Sequence, residues 1–88
     1  MAATDTAALA HQLADRASVA DIECHGVQVH THGQRWYDTR PMLDRHEYCD
    51  QSIDMARQAI DYALQRGLVE PHPGQPHLLR ITNKGRAL

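Results

Sequence analysis

Ile53-Asp54-Met55-Ala56-Arg57-Gln58-Ala59-Ile60-Asp61-Tyr62-Ala63-Leu64-Gln65-Arg66-Gly67-Leu68-Val69-Glu70-Pro71-His72-Pro73-Gly74-Gln75-Pro76-His77-Leu78-Leu79-Arg80-Ile81-Thr82-Asn83-Lys84-Gly85-Arg86 is the stretch that decides the fold. Ile53, Ala56, Ile60, Ala63 and Leu64 recur three or four apart, so one face of a helix is apolar. Asp50 or Ser52 is placed to cap that helix, and Gly67 stands where a helix turns off in a left-handed conformation. A strand is expected over Leu68–Glu70 and another over His77–Thr82, joined by the proline-rich loop Pro71–Pro76. Thr82–Arg86 then reads as the first turn of a helix or a frayed tail.

Toward the N-terminus, Asp5 or Thr6 is placed to cap a helix over Ala7–Ala17 with the apolar stripe Leu9, Ala10, Leu13 and Ala17, leaving Asp15 and Arg16 off it. From Ile22 to Asp38 the period changes to two, and His32-Gly33 suits a two-residue hairpin turn. That turn sets Val29 opposite Trp36, with Val27 on the same, core-facing side. Gln28, His30, Arg35 and Tyr37 are then expected on the wet side. Thr39-Arg40-Pro41 ends the second strand, because proline lacks a ladder donor. Met42–Tyr48 is expected to make a short helical turn with Met42, Leu43 and Tyr48 inward.

Eighty-eight residues make one domain, spanning 1–88, and with no Phe its core falls to aliphatic side chains, Trp36 and three Tyr. The net charge of −2 is unevenly spread: residues 1–50 carry four Arg against eight Asp or Glu, and residues 51–88 five Lys or Arg against three. Neither a basic signal segment nor an apolar run of about 20 residues is present, so a cytoplasmic location with reduced Cys24 and Cys49 is expected.

The pattern Leu64-x-x-Gly67-Leu68-Val69-Glu70, followed by Leu79-x-Ile81-Thr82-x-x-Gly85-Arg86, resembles the recognition helix and wing of MarR-like and PadR-like winged helix-turn-helix proteins. In that family the leucine anchors the helix end, the glycine turns the chain and a Leu-Thr-x-x-Gly-Arg type sequence closes the wing; here Ile81 takes the leucine place. The resemblance covers the last 35 or so residues. It implies an α+β, winged-helix-like domain: N-terminal helix, β-hairpin, long helix and a C-terminal β-hairpin wing.

Cys24, His25, His30 and His32 gather near the first hairpin and His46-x-x-Cys49 follows, so Cys24, His30, His46 and Cys49 are the candidate donors for zinc. Their spacing fits no standard zinc module, and surface histidines with two buried thiols are the simpler expectation; no metal or other cofactor is assigned. Neither a phosphate-binding glycine loop nor a serine elbow occurs, and a domain with one small core rarely shapes a deep pocket. A non-enzymatic protein is expected.

Two functions then compete. The resemblance implies double-stranded DNA binding and transcription regulation by a homodimer, with helix 52–66 and wing 71–76 against the duplex. Gln51, Arg57 and Gln58 are placed to contact it from the helix, and Arg80, Lys84 and Arg86 beside the wing. Leu9 and Leu13 of the N-terminal helix are the expected dimer element. The alternative is a protein-binding accessory or inhibitor module of phage or mobile-element type, similar to anti-CRISPR proteins. It would act through the hairpin residues His30, Arg35 and Tyr37 and the acidic residues Asp38, Asp44 and Glu47. Asp54 and Asp61 on the outward helix face lean toward the alternative, since phosphates repel carboxylates.

Overall fold

The structure is a computed structural model that describes residues 2–43 and 53–88, with side chains from residue 8 onward. Helix α1 (Ala2–His25) leads into strands β1 (Val27–Thr31) and β2 (Gln34–Asp38) and a 3₁₀ turn at Arg40–Leu43. Helix α2 (Ile53–Gln65), strands β3 (Val69–His72) and β4 (Gln75–Ile81) and a short helix α3 (Asn83–Arg86) complete the chain. The four strands form one antiparallel sheet in the order β1-β2-β4-β3. The domain is therefore α+β. Among the described residues no helix is long and apolar enough to cross a membrane.

The first helix departs from expectation at both ends. It runs unbroken from Ala2 to His25, so Asp5 and Thr6 lie inside it and Ile22 and Cys24 are helical rather than extended. Its buried face is Asp15, Ser18, Val19 and Ile22, spaced as one helical stripe. At 100° per residue that stripe lies about 200° around the helix from Leu13. The apolar row chosen from the sequence accordingly points to water, with Leu9 54% and Leu13 57% exposed.

The hairpin turns at His32 (φ 51°) and Gly33 (φ 74°), the mirror-image turn that matches strand twist, and Val29 pairs with Trp36 as expected. The sides are reversed. Tyr37 is 4% exposed and joins Val19, Ile22, Ile60 and Leu79 in the main core, while Val27 is 51% exposed. Trp36 is buried on the opposite side of the sheet, which the register shares with Asp38, Leu78 and Arg80. There it meets His72 edge-on at 4.8 Å and lies 5.5 Å beneath the Arg80 guanidinium. Both faces of the sheet thus have covered centres.

Helix α2 ends in a Schellman turn: Leu68 N–H donates to Ala63 C=O at 2.9 Å and Gly67 N–H to Leu64 C=O at 3.1 Å, with Gly67 at φ 71°. The proline stretch is less of a loop than expected. Pro71, His72, Gln75 and Pro76 are strand residues, and only Pro73-Gly74 turns. Pro71 is tolerated because β3 lies at the sheet edge. Met42 is fully buried and Leu43 packs against the core, as the expected helical turn required; its continuation to Tyr48, and the capping residues Asp50 and Ser52, lie outside the described residues.

The Thr82-x-x-Gly85 pattern that follows β4 has a structural cause. Thr82 Oγ1 accepts from Gly85 N–H as the cap of α3 and donates to Gly67 C=O at 2.7 Å, while Thr82 N–H donates to Leu68 C=O. Gly85 packs directly on this turn, where a Cβ would come within 2.3 Å of the Leu68 carbonyl oxygen. The paired motifs fasten the end of β4 to the end of α2.

Candidate interaction surfaces

Most cationic side chains of the C-terminal half are occupied within the molecule. Arg66, at the end of α2, donates to both Asp15 oxygens at 3.0 and 3.1 Å, and the Tyr62 hydroxyl donates to the same carboxylate at 2.7 Å. The Arg66 hydrogen bonds hold the Asp15 carboxyl below its ordinary range although burial pushes it up, and the Asp15 contact raises Tyr62. Arg80 bridges Glu70 and Gln34 across the sheet face. Lys84 donates to the Arg66 carbonyl at 2.6 Å, closing the C-terminal end of α2. Arg40 grips Asp38 with two nitrogens and depresses its carboxyl in the same way.

Of the residues expected at a duplex, Arg80, Lys84 and Arg86 line one open hollow of about 440 Å³ with Gly67, Glu70 and Thr82, which Arg57 and Gln58 do not line. There Arg80 is held by Glu70 and Gln34 and Lys84 by the Arg66 carbonyl, and Arg86 joins them from α3. Arg57 and Gln58 are exposed on α2, flanked by exposed Asp54 and Asp61. Gln51 lies outside the described residues. The turn at Pro73-Gly74 carries no basic side chain, and its conformation is held by Gly74 N–H donating to His72 Nδ1 at 3.0 Å.

The hairpin residues do come together. His30, Arg35 and Tyr37 share the side of the sheet that faces the helices, and they line an open cleft of about 440 Å³ with Glu23 of α1 and Arg86 of α3. A second hollow of about 330 Å³ continues from it along α1, sharing Glu23, Ile81 and Arg86 and adding Arg16 and Val19. Tyr37 is part of the cleft's floor rather than an exposed contact. Asp38 is turned to the other side of the sheet and held by Arg40. Asp44 and Glu47 lie outside the described residues.

A helix ending at Ala17 leaves Arg16 and Glu23 unrelated, so the sequence does not point to them. Once the helix runs to His25, Arg16, Ala20 and Glu23 fall four and three apart on one face. Cys24 is an exposed helical residue, neither buried nor on a strand with His30. Among the described residues no three His, Cys, Asp or Glu side chains are grouped to hold a metal ion, and His46 and Cys49 lie outside them. Comparison with protein-family models, with curated proteins and with solved structures finds no match to this chain.

Proposed function

We propose that this chain is a small non-enzymatic protein-binding module built on a winged-helix-like scaffold. The scaffold assignment is supported by the succession of β2, 3₁₀ turn, α2, β3, turn and β4 with strand order β2-β4-β3, to which the β1 hairpin arm is added. The observation that carries the function is the placement of the guanidiniums. Arg80 and Arg66 are paired with Glu70 and Asp15, whereas Arg16, Arg35 and Arg86 have no carboxylate at ion-pair distance among the described residues and line two adjoining hollows. Exposed Leu9 and Leu13, on the half of α1 where residues 8–14 are all exposed, support self-association through that half.

A second function, duplex DNA binding through α2 and the β3–β4 turn, is favoured by the element order and by the hollow that Arg80, Lys84 and Arg86 share. Its carriers would be Arg80, Lys84 and Arg86 at that hollow, with Arg57 and Gln58 on a helix face shared with two aspartates. A mobility-shift titration with random duplex from 20 to 200 mM salt separates the two. The protein-binding proposal expects no salt-dependent shift at micromolar protein; a shift abolished by Arg57→Gln would refute it.

A further inference from the structure

The groove between α1, α3 and the β1–β2 hairpin has features that a solvated surface does not require. Tyr37 is 4% exposed, lines the cleft, and its hydroxyl makes no hydrogen bond to any described residue. A buried phenol normally has a partner for its O–H. Arg35 and Arg86 line the same cleft and Arg16 the hollow that continues it, with Glu23 the one side-chain carboxylate lining either. This concentration of positive charge belongs to a chain whose net charge is −2. Apolar side chains line the hollows beside these charges: Ile81 in both, the Tyr37 ring in the first and Val19 in the second.

We propose that this groove binds an extended acidic segment of a partner protein, with carboxylates on Arg35 and Arg86 and a backbone carbonyl accepting the Tyr37 hydroxyl. Planar guanidiniums take carboxylates in paired hydrogen bonds, and an apolar lining beside them suits alternating acidic and aliphatic side chains. Glu23 decides between polyanions. A peptide backbone brings N–H donors that satisfy its carboxylate, whereas a phosphodiester chain presents acceptors to it and is repelled. The proposal specifies the site for the protein-binding function proposed above and rests on it.

The test is a ¹⁵N chemical-shift titration of the whole chain with three probes: the capped peptide Glu-Leu-Glu-Leu-Glu, its Lys-Leu-Lys-Leu-Lys counterpart, and a thymidine tetranucleotide of matching charge. The acidic peptide is expected to shift amides of residues 16–23, 35–37 and 81–88, the basic one to shift none, and the oligonucleotide to bind more weakly than the acidic peptide. Arg35→Gln with Arg86→Gln should weaken the acidic peptide at least tenfold, at amide dispersion unchanged from the parent. Tyr37→Phe keeps the ring and should weaken it about fivefold, the effect of one lost hydrogen bond. Absence of shifts at millimolar peptide, shifts outside the groove, indifference to the Arg pair, or tighter oligonucleotide binding would each overturn the proposal. A protein partner that binds the double-Arg variant as tightly as the parent would overturn the groove and leave the protein-binding function standing. DNA binding lost with Arg57→Gln would overturn that function itself.

Discussion

Asp15→Asn should loosen the seam between α1 and α2, and the loss can be sized from the contacts. The carboxylate is 5% exposed and accepts three hydrogen bonds, two from Arg66 and one from Tyr62. An asparagine can keep the Tyr62 bond through its oxygen, but its amide then presents N–H groups to a guanidinium. Hydrogen bonds to charged groups contribute roughly 1.5–3 kcal/mol; because the Arg66 side chain is 39% exposed, water screens the pair and the lower part of that range, about 2 kcal/mol, applies. For a domain of this size each kcal/mol moves the melting temperature by roughly 4–8 °C, so a fall of roughly 8–16 °C is expected at pH 7. The pH dependence has a definite sign. Asp15 is depressed in the folded state, so its stabilisation is fully present above the unfolded value of 3.8 and is lost as pH falls below that toward the folded value. Thermal unfolding followed by circular dichroism at pH 7, 5, 4 and 3 is the assay. The gap between parent and variant should be constant from pH 7 to 5 and close below pH 4. A gap under 2 °C at pH 7, or one that persists undiminished at pH 3, would refute the assignment of this carboxylate as the ionised tie between the helices.

Five further variants test the packing and the surfaces. Gly85→Ala brings a methyl against the Leu68 carbonyl and Ile81, and should cost about 3 kcal/mol in urea unfolding, whereas Arg80→Gln, which breaks only part-exposed contacts, should cost under about 1 kcal/mol. Tyr37→Ala should cost about 3 kcal/mol or more and Val27→Ala less than about 0.5, measured the same way; the reverse order would restore the hairpin faces expected from alternation. Leu9→Lys with Leu13→Lys should leave the melting temperature within about 2 °C, since both side chains are already exposed, and should convert any dimer seen by sedimentation velocity to monomer. An unchanged sedimentation coefficient would exclude this face as the contact.

What could be read from the chain and what could not follows from which signals are local. The α2 stop at Gly67, the His32-Gly33 turn and the Val29–Trp36 register are set by backbone conformations that few residues accept, and all three are found. Which side of the hairpin faces the helices is not local. Val27, Val29 and Trp36 make the more apolar side, yet α1 and α2 cover the side of Tyr37, and Trp36 is buried by its neighbours in the sheet instead. The same lack of long-range information misplaced α1. Its buried stripe begins with Asp15 and Ser18, and a carboxylate looks like surface until Arg66, fifty-one residues on, supplies its counter-charge.

The Asp15–Arg66 pair also bears on function. The Leu64-x-x-Gly67 and Thr82-x-x-Gly85 motifs are accounted for by a helix stop and a strand-end fastening, so they identify a way of closing the fold and say nothing about what its outer faces touch. With Arg66, Lys84 and Arg80 each bound to a group of the same chain, a polyanion at the α2 end would have to compete with bonds already made. Those same bonds draw α1 and the end of β4 toward the end of α2, and α3 follows β4 directly. Arg16 and Glu23 are carried on α1 and Arg86 on α3, so the network that removes charge from one surface fixes the walls of the groove on another. If so, loosening the Asp15 tie should weaken binding in the groove more than its distance from Tyr37 would suggest, which gives the stability variant a second use as a probe of how rigid that groove must be.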